Sequence, residues 1–194
     1  MSQNEPVDMK RRNVLLATTA VMGAAGATAL LTPFVKSWNP SAKAQAAGAP
    51  VSMDISSIED GQMITLEYRK APVLVVKRTP EMLELLPKNV PLISDPDSSA
   101  SVQPEYAKND VRSRSPELLV VSGVCTHLGC KPSFRPEVGA ADLGGDNWYG
   151  GFFCPCHGSK YDLAGRVFKG VPAPLNLPVP DYNLNGTVLT VGES

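Results

Sequence analysis

All four cysteines and both histidines of the chain fall in two short segments, Cys125-Thr126-His127-Leu128-Gly129-Cys130 and Cys154-Pro155-Cys156-His157-Gly158-Ser159. Nothing else constrains the fold as much, because soft ligands so concentrated must meet in space if they share a metal. Each segment can offer one thiolate and one imidazole, from Cys125 with His127 and from Cys154 with His157. Cys130 and Cys156 are left as a second pair. Residue types alone leave other uses open: two Cys and two His satisfy a tetrahedral zinc site, and four cysteines in an exported chain can form two plain disulfides. The rest of each segment narrows the choice. Gly129, Pro155 and Gly158 suit tight ligand loops whose backbone amides point inward at an anionic centre, and Ser159 and Tyr161 follow directly with two hydroxyl donors.

Read in full, C-T-H-L-G-C followed by C-P-C-H-G-S-K-Y resembles the Rieske iron-sulfur proteins of the quinol-oxidising cytochrome bc complexes, matching both boxes at every ligand position. The resemblance implies one [2Fe-2S] cluster, with Cys125 and Cys154 on one iron and His127 and His157 on the other. It also implies a disulfide between Cys130 and Cys156, a hydrogen bond from Ser159 to a bridging sulfide, and one from Tyr161 to the sulfur of Cys125. Rieske-type ferredoxins and ring-hydroxylating oxygenases typically lack the extra cysteine pair, so its presence indicates the high-potential, quinol-coupled branch. In that branch His157 would hydrogen-bond ubiquinol in a cytochrome b subunit and later approach the haem of a cytochrome c1 subunit, within a membrane-embedded dimeric complex. The chain would then be an oxidoreductase subunit and part of a translocase, not a catalyst alone. A Rieske subunit of another exported oxidoreductase, such as arsenite oxidase, is the alternative; Tyr161 and a proline loop argue against it.

The ligand types suit that chemistry through charge. Four thiolates around two ferric ions and two sulfides leave a dianion, whereas two thiolates and two neutral imidazoles leave a neutral centre that accepts an electron more readily. Potentials accordingly rise from about −400 mV for plant-type ferredoxins to between about −150 and +300 mV. Imidazole ligands also couple the electron to a proton, since adding charge to the metal pair makes a bound imidazole more basic. Leu128, between the ligand His127 and Gly129, is read as part of an apolar docking rim or as local packing.

Near the amino terminus, Lys10-Arg11-Arg12 precedes a charge-free run over residues 14–35, long enough to span a bilayer. Its Ala, Gly and Thr content suits a twin-arginine signal, although Val14 stands where an aromatic or leucine is usual. Positive-inside flanks predict a cytoplasmic amino terminus over 1–13, a single span over 14–35 and a periplasmic domain, in a bacterial inner membrane. Ala-Lys-Ala and Ala-Gln-Ala within 42–47 resemble signal-peptidase sites; in the resembling family this segment stays on as an anchor, which keeps the mobile domain at high local concentration near its partners. Residues 36–50, small and helix-breaking with Trp38 as an interfacial anchor, read as a flexible hinge, within which 44–49 can form a short helix.

Residues 51–194 are the size of one domain. The expectation is an all-β antiparallel Rieske-type sandwich preceded by one N-terminal transmembrane helix, with a small cluster-binding subdomain over about 123–167. Residues 63–68, 72–77 and 118–122 read as strands. Thr79 followed by Pro80 starts a short helix, and Asn185-Gly186 between alternating runs marks a hairpin. Residues 95–115 and 131–151 read as solvated loops. The segment Gly170-Val171-Pro172-Ala173-Pro174 resembles the family's proline loop with one residue inserted. A net charge of −1 without a sustained basic patch argues against nucleic acid as a partner.

Overall fold

The computed structural model describes residues 8–193, in two units divided between Ala46 and Ala47, each considered by itself. Residues 1–7, and with them half of the expected cytoplasmic segment, lie outside the described residues. The first unit is dominated by α1, Met9–Ser37. Three consecutive cations in its first turns oppose the helix dipole. Asp8 compensates as N-cap, its Oδ1 accepting from the amides of Lys10 and Arg11 at 3.0 and 3.2 Å. Helix therefore extends beyond residues 14–35 into both polar flanks, and α1 is long and apolar enough to cross a membrane. Three of its threonines are satisfied internally: Thr18, Thr28 and Thr32 each donate to the carbonyl four residues back, at 2.9, 2.8 and 2.6 Å, which lowers the cost of polar groups in lipid. Within residues 36–50, α2 covers Ala42–Ala47, a run of strong helix formers.

Among the described residues the second unit holds nine strands: β1 Val51–Asp54, β2 Met63–Tyr68, β3 Ala71–Lys77, β4 Leu118–Ser122, β5 Ser133–Arg135, β6 Gly151–Cys154, β7 Ser159–Asp162, β8 Tyr182–Asn185 and β9 Val188–Val191, with one α-helix, α3, at Pro80–Asn89 and three short 3₁₀ turns. They form three antiparallel three-stranded sheets, ordered β1-β9-β8, β2-β3-β4 and β5-β6-β7. Both faces of β3 and β4 are covered, so Val73, Leu74, Val75 and Val76, like Leu118, Leu119, Val120 and Val121, are buried in succession rather than alternately. Thr79 caps α3 by accepting from the Met82 amide at 3.3 Å, and Pro80 occupies the first turn.

Two expected solvated loops are built structure instead. Between β5 and β6, Leu143 and Trp148 are buried and form a second small core with Ile93 and Phe168; Trp148 stacks on Phe168 with centroids 5.8 Å apart. The Lys160 ammonium secures this segment by donating to the Leu143 carbonyl at 2.9 Å. In residues 95–115, Ala107, Arg112 and Ser113 are buried. Isolated apolar residues among glycines show no periodicity, so their burial depends on partners distant in sequence.

Gly151 opens β6 opposite Asp162, and a Cβ there would sit 2.0 Å from the Tyr161 carbonyl oxygen. Gly151→Ala should therefore break the β6–β7 pairing that carries the second cysteine segment, at a cost of several kcal/mol. Thermal melts matching the parent would contradict this.

Candidate metal centre

The two cysteine segments form loops at the ends of different sheets. The first leaves β4 through Gly123, which is pressed so closely that a Cβ would meet Leu74 at 3.0 Å and Pro72 at 3.1 Å. The second joins β6 to β7. Both close in the same way, an amide four residues on donating to the first cysteine's carbonyl: Gly129 to Cys125 at 2.9 Å and Gly158 to Cys154 at 3.0 Å. These two glycines have φ of 85° and 77°, the left-handed region that L side chains avoid. Cys130 and Cys156 are joined in a disulfide with Cα atoms 6.6 Å apart, tying the loops together.

Cys125 and Cys154 remain free and buried. The imidazoles of His127 and His157 meet edge to face with centroids 4.7 Å apart. His127 Nδ1 is buried with no hydrogen-bond partner, an arrangement that costs about 1–3 kcal/mol unless something else satisfies it. A lone imidazole nitrogen beside two buried thiols and a second imidazole is the donor set of a mixed sulfur and nitrogen metal centre, so the residues present fit a cluster. Three sulfurs, of Cys130, Cys154 and Cys156, also lie within 4.8 Å of one another, but two of them are spent in the disulfide. That trio is not a ligand set.

Hydroxyl groups surround the thiol side. Tyr161 is fully buried, and its hydroxyl lies 3.2 Å from Cys125 Sγ, 3.2 Å from the Thr126 amide and 3.1 Å from Thr126 Oγ1. The Thr126 amide donates to the tyrosine oxygen, and the Thr126 hydroxyl spends its own proton on the Leu175 carbonyl at 2.7 Å. The one phenolic proton therefore has two acceptors in reach, Thr126 Oγ1 at 3.1 Å and Cys125 Sγ at 3.2 Å. Burial works against a Cys125 thiolate, yet hydrogen bonds from Tyr161, the His127 amide, Cys154 and Ser159 together outweigh it and hold this thiol below its ordinary pKa. Burial above all pushes Cys154 the other way, and burial, with Cys125 beside it, raises Tyr161, which stays a protonated donor.

The proline loop covers this arrangement. The Ala173 amide donates to Ser159 Oγ at 3.1 Å, leaving the serine proton uncommitted to backbone. Asn176 anchors the loop's far end: its Oδ1 accepts from the Val167 amide at 2.8 Å, and its Nδ2 donates to the Asp95 carbonyl and Ser98 Oγ at 2.9 and 2.8 Å. Leu128 is 71 % exposed, which excludes the local-packing reading of that side chain, and His157 is exposed next to it in the joined loops. Thr126 and Asn176 were not singled out from the sequence. Thr126, lying between two ligand candidates, carried a usable signal; Asn176, far along the chain, carried none.

Comparison with known proteins sharpens the assignment. Residues 50–182 match the Rieske [2Fe-2S] domain, and residues 1–41 match the ubiquinol-cytochrome c reductase Fe-S subunit TAT signal. The ubiquinol-cytochrome c reductase iron-sulfur subunit of Allochromatium vinosum is 56 % identical over 188 residues, 96 % of this chain and 90 % of that protein. The chain belongs to the Rieske iron-sulfur subunits of ubiquinol-cytochrome c reductase. The subunit of Blastochloris viridis is 39 % identical, covering 99 % of this chain and 98 % of its own. A chain of a hyperthermophilic respiratory Complex III shares the fold, with TM-score 0.50 and 24 % identity over 92 % of this chain and 98 % of that one. Membership in this Rieske family brings one [2Fe-2S] centre of the Rieske type and an electron-transfer role within an oxidoreductase complex.

Proposed function

We propose that Cys125, His127, Cys154 and His157 hold the [2Fe-2S] cluster, and that the exposed His157 imidazole is the contact through which electron and proton leave ubiquinol. The observation that carries this is the convergence of two free buried thiols, an unpartnered buried imidazole nitrogen and a second imidazole in edge contact, from loops in different sheets. When bound, the cluster supplies a one-electron acceptor and donor. The protein's residues do the remainder. His157 offers a ring edge to a quinol hydroxyl and can hold the proton that accompanies the electron. Ser159 and Tyr161 stabilise added negative charge by donating to sulfur, while the disulfide and proline loop keep the thiol side dry.

In this reading the cytochrome b subunit supplies the quinol pocket and cytochrome c1 the electron acceptor, in a dimeric complex, and the exposed Leu128 lies at the docking rim. α1 anchors the chain with its amino terminus cytoplasmic and the cluster domain outside, as the Arg11-Arg12 pair and the cations before the span favour. Iron and acid-labile sulfide should be found at two each per chain, with a reduced-state EPR spectrum typical of mixed histidine and cysteine ligation. A preparation loaded only with zinc would overturn the assignment. Tyr161→Phe should retain the cluster but lower its midpoint potential by about 40 mV, from ~1 kcal/mol for one hydrogen bond and about 59 mV per tenfold for one electron. Redox titration checks this, and an unmoved potential would remove Tyr161 from its tuning role.

A further inference from the structure

The buried charged side chains among the described residues are Arg78, Arg112, Arg166 and Asp162, and all converge on the turn that follows β7. Arg166 is neutralised within this group, since its guanidinium lies 2.7 Å from Asp162. The other two arginines have no buried carboxylate of their own. Arg78 donates to the carbonyls of Pro116, Val111 and Leu163 at 2.8, 2.9 and 3.0 Å and to Ser113 Oγ at 2.8 Å. Arg112 donates to the carbonyls of Ala164, Gly165 and Leu177 at 3.0, 3.2 and 2.8 Å, and its Nε to the neutral Gln103 Oε1 at 2.9 Å.

Burial lowers both arginines to about 10, so both keep their charge at neutral pH. The acid that reaches both most strongly is Asp162, whose single charge is already paired with Arg166; the others are peripheral. Glu117, near Arg78, is exposed; Asp95, on the side of Arg112, is occupied by Ser99, Ala100 and Ser101. Two uncompensated positive charges thus sit behind the strand whose residues Ser159 and Tyr161 face Cys125. At about 3.3 Å of strand per residue, the carbonyls of Leu163 and Ala164 lie within roughly 10 Å of Tyr161. At an effective dielectric near 20, charges on the order of 15 Å apart still interact measurably.

We propose that Arg78 and Arg112 form a buried electrostatic pair that holds the reduction potential of the centre up, because fixed positive charge stabilises the state with one more electron. They touch no ligand and act only through their field. This rests on the cluster reading above.

The test exploits Gln103, which can be changed without touching the ligand loops. Gln103→Glu is isosteric, keeps an acceptor for Arg112 Nε, loses only the donation to the Ser98 carbonyl, and places a negative charge against the guanidinium. The equilibrium constant for taking up an electron should fall by about three- to tenfold, equivalent to about 30–60 mV at 59 mV per tenfold. The EPR line shape should stay that of the parent. Gln103→Met removes both hydrogen bonds without adding charge and should move the potential by less than a third as much. Ser113→Asp sets a charge beside Arg78 instead and should shift the potential in the same direction, which keeps the test open if the first variant does not fold. Equal shifts in Gln103→Met and Gln103→Glu, or unmoved potentials in both charged variants, would overturn the proposal. Absence of any iron-sulfur signal in the parent would instead overturn the cluster reading on which it depends.

Discussion

Replacing His157 with cysteine is expected to lower the midpoint potential by hundreds of millivolts, toward the about −400 mV of four-cysteine centres, and to abolish quinol oxidation in the assembled complex. Two effects act together. A thiolate adds a negative charge to a centre that four mixed ligands leave neutral, and the exchangeable imidazole proton disappears from the exposed end of the domain. His157 is the right target because its ring is exposed whereas His127 keeps Nδ1 buried. Redox titration of the assembled variant decides the matter, and a parental potential with a full complement of cluster would refute the assignment.

Asp162→Ala is expected to destabilise the domain by about 3–5 kcal/mol, lowering Tm by on the order of 10 °C for a domain of this size. Asp162 is fully buried. Its Oδ1 accepts from the amides of Ala164 and Arg166 at 2.9 and 2.8 Å, and its Oδ2 from Arg166 Nε at 2.8 Å. Removing it strands the Arg166 guanidinium in the interior, with the Leu86 carbonyl as its remaining acceptor, and leaves three buried cations with no buried anion among the described residues. Calorimetry checks the prediction; a melt within a few degrees of the parent would show that water reaches this turn.

Much of this was readable from the chain because local chemistry and tertiary role coincide. β2 and β4 have the bounds that alternation and a short apolar run imply, Thr79-Pro80 starts α3, and Asn185-Gly186 turns β8 into β9. The two loops that carry Cys125, His127, Cys154 and His157 are joined by a disulfide and set the two imidazoles edge to face, the arrangement on which the proposed ligand set rests. Other features depend on distant partners. Trp148 and Leu143 read as loop residues until Phe168 and Ile93 cover them. Val51–Asp54 is a strand because β9 pairs with it from the opposite end of the domain. Arg78 and Arg112 look in sequence like ordinary surface charges, and only backbone carbonyls converging from residues 111–177 make an interior place for them.

The two halves of the proposed metal site grow from separate sheets, one loop from β4 and the other between β6 and β7. In an extended polypeptide these half-sites are strangers: in the proposed ligand set each contributes one thiolate and one imidazole, which is half of what the centre needs. Loading therefore has to follow tertiary assembly, and the free energy of binding metal becomes free energy of folding. A cargo of that kind is best carried across a membrane already folded, which gives the twin-arginine leader its physical reason.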